Sequence, residues 1–261
     1  MRISFSLDQN LLIKKGDRFC IGEGVISFDK IIPLYQPLFL KTGSLLVYKD
    51  DVIGQIEESF WSFVKGSEKK KAYVVKAKKD VLIESGDQFF DVKFEGYSLG
   101  VITLSDKGAV GEREDKSGPL IFSMIKESLP VTYESYFVIP DEKDLLHYLL
   151  IKLILEDQID IIITTGGTGV TSRDITSDIT EKVIEKRLLG FEWAMMSEGF
   201  KKTPHAIISR AVCGILNKSL IINLPGSPKA VKENLSAILP ALPHFMEKLK
   251  DSPKDCASLQ G

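Results

Sequence analysis

"IDIIITTGGTGVTSRDITSD", Ile159 to Asp178, joins two kinds of sequence. Through Thr165 it is an apolar, β-branched run with the character of a strand buried on both faces. Beyond Thr165 it crowds glycines, threonines, serines, Arg173 and the carboxylates Asp174 and Asp178 into one loop. A buried strand that opens into a polar, glycine-rich loop belongs to an α/β sheet, where ligands sit beyond the carboxyl ends of the strands.

The flanks extend this reading. "SLGVITLS" from Ser98, "VTYESYFVI" from Val131 and "KSLIIN" from Lys218 are further strands. Between them, "SGPLIFSMIKESL" sets Leu120, Ile121, Met124 and Ile125 at helical spacing, with Ser117 as its cap. "EKDLLHYLLIKLILED" stacks Leu145, Leu146, Leu149, Leu150, Leu153 and Ile154 on one helical face. The alternation predicts a mostly parallel sheet covered by helices on both faces.

Upstream the grammar differs. "SLLVYKD", "AYVVKAKK" and "QFFDVKFEG" are short β-type runs broken by Gly-Asp and Gly-Ser turns. "KKGDRFCIGEG" from Lys14 and "ESGDQFFDVKFEG" from Glu84 share a Gly-Asp-Arg/Gln-Phe core, which fits either an internal duplication or the common turn chemistry of Gly-Asp before a strand. The expected organisation is a small, mostly-β domain over residues 1–95, an α/β domain over 96–250 and a tail over 251–261.

The chain has 261 residues, 44% of them hydrophobic, and a formal charge of −2. That size supports a large core, and that charge gives no global basic field for a nucleic-acid partner. The lysine-rich segment Val64 to Asp80 reads as a solvated strand face. Cys20, Cys213 and Cys256 are scattered without CxxC spacing, so neither a disulfide framework nor a sequence-local zinc site is expected. The N-terminal stretch meets charge too early for a signal peptide, and no apolar run approaches the ~18 residues of a membrane span. A soluble, cytoplasmic protein without a membrane partner is the expectation.

Three loops at predicted strand ends carry unusual chemistry. In "DKGAVGEREDKSGP", Asp106 to Pro119, glycines allow close backbone approach and Ser117 leads into a helix whose amides favour an anion. In "TTGGTG", Gly166, Gly167, Thr168 and Gly169 offer backbone amides, and Thr164, Thr165 and Thr168 offer hydroxyls for phosphate oxygens. Neither a Walker loop nor the dinucleotide fingerprint is present. Arg173 supplies a cation and Asp174 a carboxylate suited to magnesium, whereas Asp178 with Glu181 has the spacing of a capping box. In "NLPGSPKAVKEN", Pro225, Gly226 and Ser227 precede a helix that starts at Pro228, with Lys229 or Lys232 available to an anion. Asp141, in "FVIPDEKDLL", stands on the same rim as Asp174, and an N-cap after Pro140 is its bland alternative.

Together "ITLSDKGAVGEREDKSGP", "VIPDEKDLL", "TTGGTGVTSRDITSD", "AIISRAVCGI" and "LIINLPGSPKAVKENL" resemble, in order and spacing, the molybdopterin adenylyltransferases of molybdenum-cofactor biosynthesis. That family includes the bacterial MogA and MoaB proteins and the G domains of plant and animal cofactor-insertion proteins. The resemblance covers about Leu99 to His244 and leaves residues 1–95 unassigned. It implies a MogA/MoaB-like α/β fold, a homotrimer, and a transferase that moves AMP from ATP to the molybdopterin phosphate with release of pyrophosphate. A molybdenum-insertion protein is then a further expected partner.

Position by position, the resemblance puts the catalytic carboxylates, and the magnesium ligands, on Asp141 and Asp174. It puts the phosphate loop on Gly166, Gly167, Thr168 and Gly169, and the pterin and nucleotide rim on Ser105, Asp106, Ser117 and Pro225 to Ser227. Arg173 and Lys229 offset remaining phosphate charge. Val170-Thr171-Ser172 departs from the family, whose members often carry a proline and a basic residue there, which implies one cationic contact fewer. A non-catalytic molybdopterin-binding scaffold of the same fold is the alternative to the enzyme. His147 is expected to pack beside the leucine-rich helix face and His205 to begin a strand. Neither they nor His244 has the spacing of a nucleophile–base pair or a zinc site.

Overall fold

The computed structural model describes residues 1–22, 28–34, 39–64 and 68–250. The tail over 251–261 with Cys256, Glu23 and Gly24 of the repeated stretch, and positions 65–67 of the lysine-rich segment lie outside the described residues. The chain forms two compact units, one of Met1–Gly96 with Glu156–Gln158, the other of Tyr97–Leu155 with Ile159–Gly261.

The first unit is mostly β. Its strands are β1 (Arg2–Leu7), β2 (Leu11–Ile13), β3 (Arg18–Ile21), β4 (Ile31–Ile32), β5 (Leu45–Tyr48), β6 (Asp51–Val64), β7 (Glu68–Ala77), β8 (Val81–Ile83) and β9 (Gly86–Lys93). Seven of them form one sheet in the order β1-β9-β5-β6-β7-β3-β4, while β2 and β8 pair as a separate ribbon. Phe19, Ile53, Ile56, Tyr73 and Phe90 are fully buried in its core.

The ribbon gives the sequence repeat a geometric form. β2 and β8 run antiparallel with Leu12 opposite Leu82, the same spacing that separates Gly16 from Gly86. Side-chain caps are exchanged reciprocally at that spacing: the Lys15 amide donates to Asp80 Oδ1 at 2.7 Å and the Ser85 amide to Asn10 Oδ1 at 2.8 Å. Gly16 and Gly86 both take positive φ, +89° and +91°, which glycine adopts at little cost. The two copies diverge beyond the turn, where Phe19 is buried and Phe89 exposed.

The second unit is the expected α/β layer structure. Its strands are β10 (Tyr97–Leu104), β11 (Val131–Ile139), β12 (Ile161–Thr165), β13 (Lys186–Arg187), β14 (Cys213–Leu216) and β15 (Ser219–Leu224). Their order is β11-β10-β12-β15-β14-β13, parallel from β11 to β15 and antiparallel at the β14 and β13 edge. The helices are α1 (Asp106–Ala109), α2 (Ser117–Ser128), α3 (Lys143–Ile151), α4 (Thr176–Val183), α5 (Leu189–Lys202), α6 (Pro228–Ile238) and α7 (Leu242–Leu249). Because strand side chains alternate, Leu99, Val101, Ile161 and Ile163 pack with α2, α5, α6 and α7, whereas Ile102, Leu104 and Ile162 pack with α3 and α4. Among the described residues no helix is long and apolar enough to cross a membrane.

Several local expectations change. α2 is not capped by Ser117, which lies inside the helix; Asp115 Oδ1 accepts the amides of Ser117 and Gly118 instead. α4 starts at Thr176 without a side-chain cap, so Asp178 is a first-turn residue and no capping box forms. The helical reading of "ITEKVIEKRL" from Ile179 holds only to Val183, where α4 ends, and Lys186–Arg187 pair as a strand. α3 passes into a π-helical turn at Lys152–Glu156, and Leu145 faces solvent, off the buried face of Leu146, Leu149 and Leu150. α3 likewise begins without a side-chain cap, so Asp141 is not an N-cap. His147 is exposed and His205 lies in a 3-10 turn, Pro204–Ile208. Cys20 and Cys213 are buried thiols, and burial pushes that of Cys20 up to about 12.

Candidate active site

The parallel strands β10, β11, β12 and β15 end along one rim, and each feeds a polar loop. After β12 the chain turns sharply: Gly166 and Gly167 take φ of +99° and +63°, and a Cβ on Gly166 would stand 2.4 Å from the Leu104 carbonyl oxygen. Only glycine fits such an approach of backbone to backbone. Thr176 fixes the turn from below, its hydroxyl donating to Gly166 O at 2.8 Å and its amide to Gly167 O at 3.0 Å.

Both predicted carboxylates lie against this loop. A Cβ on Gly167 would come 3.3 Å from Asp141 Oδ1, and one on Gly169 would come 2.8 Å from Asp174 Oδ2. Asp174 closes a turn in which Oδ2 accepts the Thr171 amide at 2.8 Å and the Thr171 hydroxyl at 2.6 Å. Burial would raise its carboxyl, but those bonds, with the Gly169 amide, hold it below the ordinary carboxylate value. Asp141 behaves oppositely. Burial first, then the neighbouring Asp106 carboxylate, push its carboxyl up; Arg173 opposes this and Asp174 adds to it.

Asp106 and Arg173 meet across the rim. Asp106 Oδ1 accepts from Arg173 Nη2 at 2.6 Å and from the Asp141 amide at 3.1 Å, so Arg173 first and Asp141 second hold the Asp106 carboxyl low. Arg173 also stands 3.7 Å from Glu142. Among the described residues no three His, Cys, Asp or Glu side chains gather as metal ligands.

The hydroxyls are less uniform than the sequence suggests. Thr164 is fully buried and accepts from the Asn223 amide group, so it belongs to the core. Thr165 donates to Pro225 O at 2.7 Å, and Ser117 donates to Gly226 O at 2.8 Å, which ties the β15 loop to the other two. Ser105 caps α1 by accepting the Gly108 amide, and Ser227 caps α6 by accepting the Ala230 amide. Ser105, Ser117, Gly226 and Ser227 line a cavity of about 690 Å³, while exposed Lys229 does not. Of the four loop amides, that of Gly166 donates to Leu224 O and that of Gly169 to Asp174.

Two residues with central roles lie within the motif stretches that carry the resemblance but are not singled out by the sequence. Asp115 sits in a charged run, Glu112 to Lys116. Besides capping α2 it accepts the hydroxyls of Thr103 at 2.6 Å and Tyr136 at 2.5 Å. Burial would raise its carboxyl, but these donors hold it low. Burial and Asp115 together raise the Tyr136 phenol to about 12. Arg210 precedes β14 and reaches the glycine loop and Asp178. A second cavity, of about 810 Å³, opens beside Arg210 and Pro225 and is lined by Trp193, Met196 and Ser177.

Residues 100–244 match the family model described as "Probable molybdopterin binding domain". The chain belongs to that family. It is 46% identical over 150 residues to the molybdopterin adenylyltransferase of Helicobacter pylori strain ATCC 700392 / 26695, covering 57% of this chain and 85% of that one. Similarity to the molybdopterin adenylyltransferase of Escherichia coli K12 is 35% over 141 residues, 54% of this chain and 72% of that one. Among solved structures, the molybdopterin biosynthesis enzyme MoaB of Thermus thermophilus aligns with a TM-score of 0.57 at 36% identity, covering 61% of this chain and 99% of that one. A structure of MogA aligns with a TM-score of 0.55 at 31% identity, over 58% and 99%. The second unit is therefore a molybdopterin-binding domain related to adenylyltransferases of molybdenum-cofactor biosynthesis, with the MogA/MoaB-like fold.

Proposed function

We propose that this protein is a molybdopterin adenylyltransferase, transferring AMP from ATP to the molybdopterin phosphate and releasing pyrophosphate. The observation that carries the reading is the seating of Asp141 and Asp174 against Gly167 and Gly169, two carboxylates on one phosphate-type loop. A molecule that only held a pterin would have no use for that pair.

Two anions must meet in such a reaction, so positioning and charge neutralisation supply most of the rate. The amides of Gly167 and Thr168 cradle phosphate oxygens; those of Gly166 and Gly169 are engaged within the fold. Ser105 and Ser227 accept caps through oxygen and keep their hydroxyl hydrogens for a ligand. Arg173, held to Asp106 at the rim, is the cation placed to follow phosphate charge, with Lys229 farther out.

A hard divalent cation fits the donor set. Asp174 is held ionised, and Asp141 is pushed upward by burial first and then by the Asp106 carboxylate, a cost that a bound cation offsets. Asp141 and Asp174 would hold magnesium, which when bound offsets charge on the triphosphate. A homotrimer is part of the proposal, supported by the exposed apolar side chains Leu189, Trp193 and Phe200 on α5 and Ile207 just beyond it.

The test is pyrophosphate release from molybdopterin, ATP and magnesium, beside a sample without pterin and an Asp174→Asn variant. The amide oxygen of asparagine can still accept from Thr171, so the fold survives while turnover collapses. Tight pterin binding without release would instead identify a scaffold.

A further inference from the structure

We infer that Arg210 is a positioning residue for the candidate site: it clamps both ends of the Val170–Arg173 excursion and thereby fixes the carboxylate of Asp174. This rests on the adenylyltransferase reading for its kinetic consequence, but not for its geometry.

Between Gly169 and Asp174 the chain leaves the rim in an irregular turn, with Val170 67% exposed. Such a segment has no ladder to satisfy its backbone groups, so something outside it must hold its ends. Arg210 does so with four groups. Its backbone amide donates to Thr168 O at 2.9 Å and Nε to Gly169 O at 2.7 Å, on the entering side. On the leaving side Nη2 donates to Asp174 O at 2.8 Å and Nη1 to Asp178 Oδ1 at 2.7 Å. A planar guanidinium presents fixed donors in several directions, which one ammonium cannot do.

The same geometry engages Nε, Nη1 and Nη2 within the loop and with Asp178. It also gives Asp178 a purpose, as the carboxylate that orients the guanidinium. Asp174 is then set twice, by Thr171 at its side chain and by Arg210 at its carbonyl.

The test compares wild type, Arg210→Lys and Arg210→Ala in the full chain. Amide hydrogen exchange over residues 168–178 is measured without ligands, and kcat, KM for ATP and the magnesium concentration for half-maximal rate are measured with molybdopterin. The expected result is exchange at least about tenfold faster in that segment alone in both variants. kcat should fall about 10–100-fold, the magnesium requirement should rise, and guanidinium ion should restore part of the Arg210→Ala rate. Exchange unchanged in the variants, or a rate loss that only tracks the fraction folded, overturns the clamp. Should Arg210→Ala fail to fold, Arg210→Lys carries the comparison. A wild type that releases no pyrophosphate overturns the adenylyltransferase reading, and the exchange data still decide the clamp.

Discussion

Asp174 occupies the space that a side chain at Gly169 would need, with Oδ2 2.8 Å from where a Cβ would stand. Gly169→Ala therefore displaces a carboxylate and not the backbone, since no positive φ is required there. Turnover should drop by about 10–100-fold with little loss of stability, a displacement of order one ångström being enough. Gly190→Ala is the control: nothing lies within 4 Å of its Cβ, and alanine in helix α5 should stabilise by about 0.5–1 kcal/mol. Steady-state kinetics and thermal melts on both variants decide the matter; full activity in Gly169→Ala would separate Asp174 from catalysis.

Asp115 should make the acid limb of stability steeper. Its folded carboxyl lies below the unfolded value of 3.8, so its contribution is complete above about pH 4 and is lost as pH falls through the folded value. Asp115→Asn removes that titration. The variant should be less stable than wild type at pH 7, with the gap narrowing below about pH 4. Melting temperatures of the pair across pH 2.5 to 7, buffer values chosen about the reference pKa, test this, and a constant gap would refute it.

The α/β architecture was legible because its strands are apolar runs such as Ile161–Thr165 and its loops fall at their carboxyl ends. Asp141 and Asp174 were reachable through motif resemblance, since each stands in a short local pattern. Asp115 was hidden for a physical reason: its partners Thr103 and Tyr136 come from two different strands, and a charged run gives no hint of which member turns inward. Arg210 was hidden likewise, as its acceptors lie in a loop brought to it only by the sheet order β12-β15-β14. Asp178 misled because a capping-box spacing is satisfied by any acidic first turn, and here an arginine claims the carboxylate. In the mostly-β unit the Gly-Asp repeat was visible, but reciprocity required the register of Leu12 with Leu82.

That reciprocity is measurable. Asn10→Ala and Asp80→Ala each remove one acceptor from a matched pair of caps. Each should cost about 0.5–1.5 kcal/mol, and the two costs should be similar. Denaturant melts of the two variants test the equivalence; a cost confined to one side would mean that only one half of the repeat supports the ribbon.

The apolar face of α5 yields the last prediction. Trp193 is 73% exposed and Leu189 66%, with Phe200 and Ile207 also open to solvent, and large apolar side chains gathered on one helix mark a surface for association. The proposed homotrimer would cover such a face by a closed, head-to-tail ring in which each copy offers one patch and accepts another. Placing a charge there should break it, because an unpaired carboxylate buried in an interface costs several kcal/mol. If the proposed homotrimer is right, sedimentation of wild type should give three copies, and Trp193→Glu should give a folded monomer with unchanged circular dichroism. A wild type that sediments as one copy would leave α5 free for a different protein and would remove the trimer from the proposal.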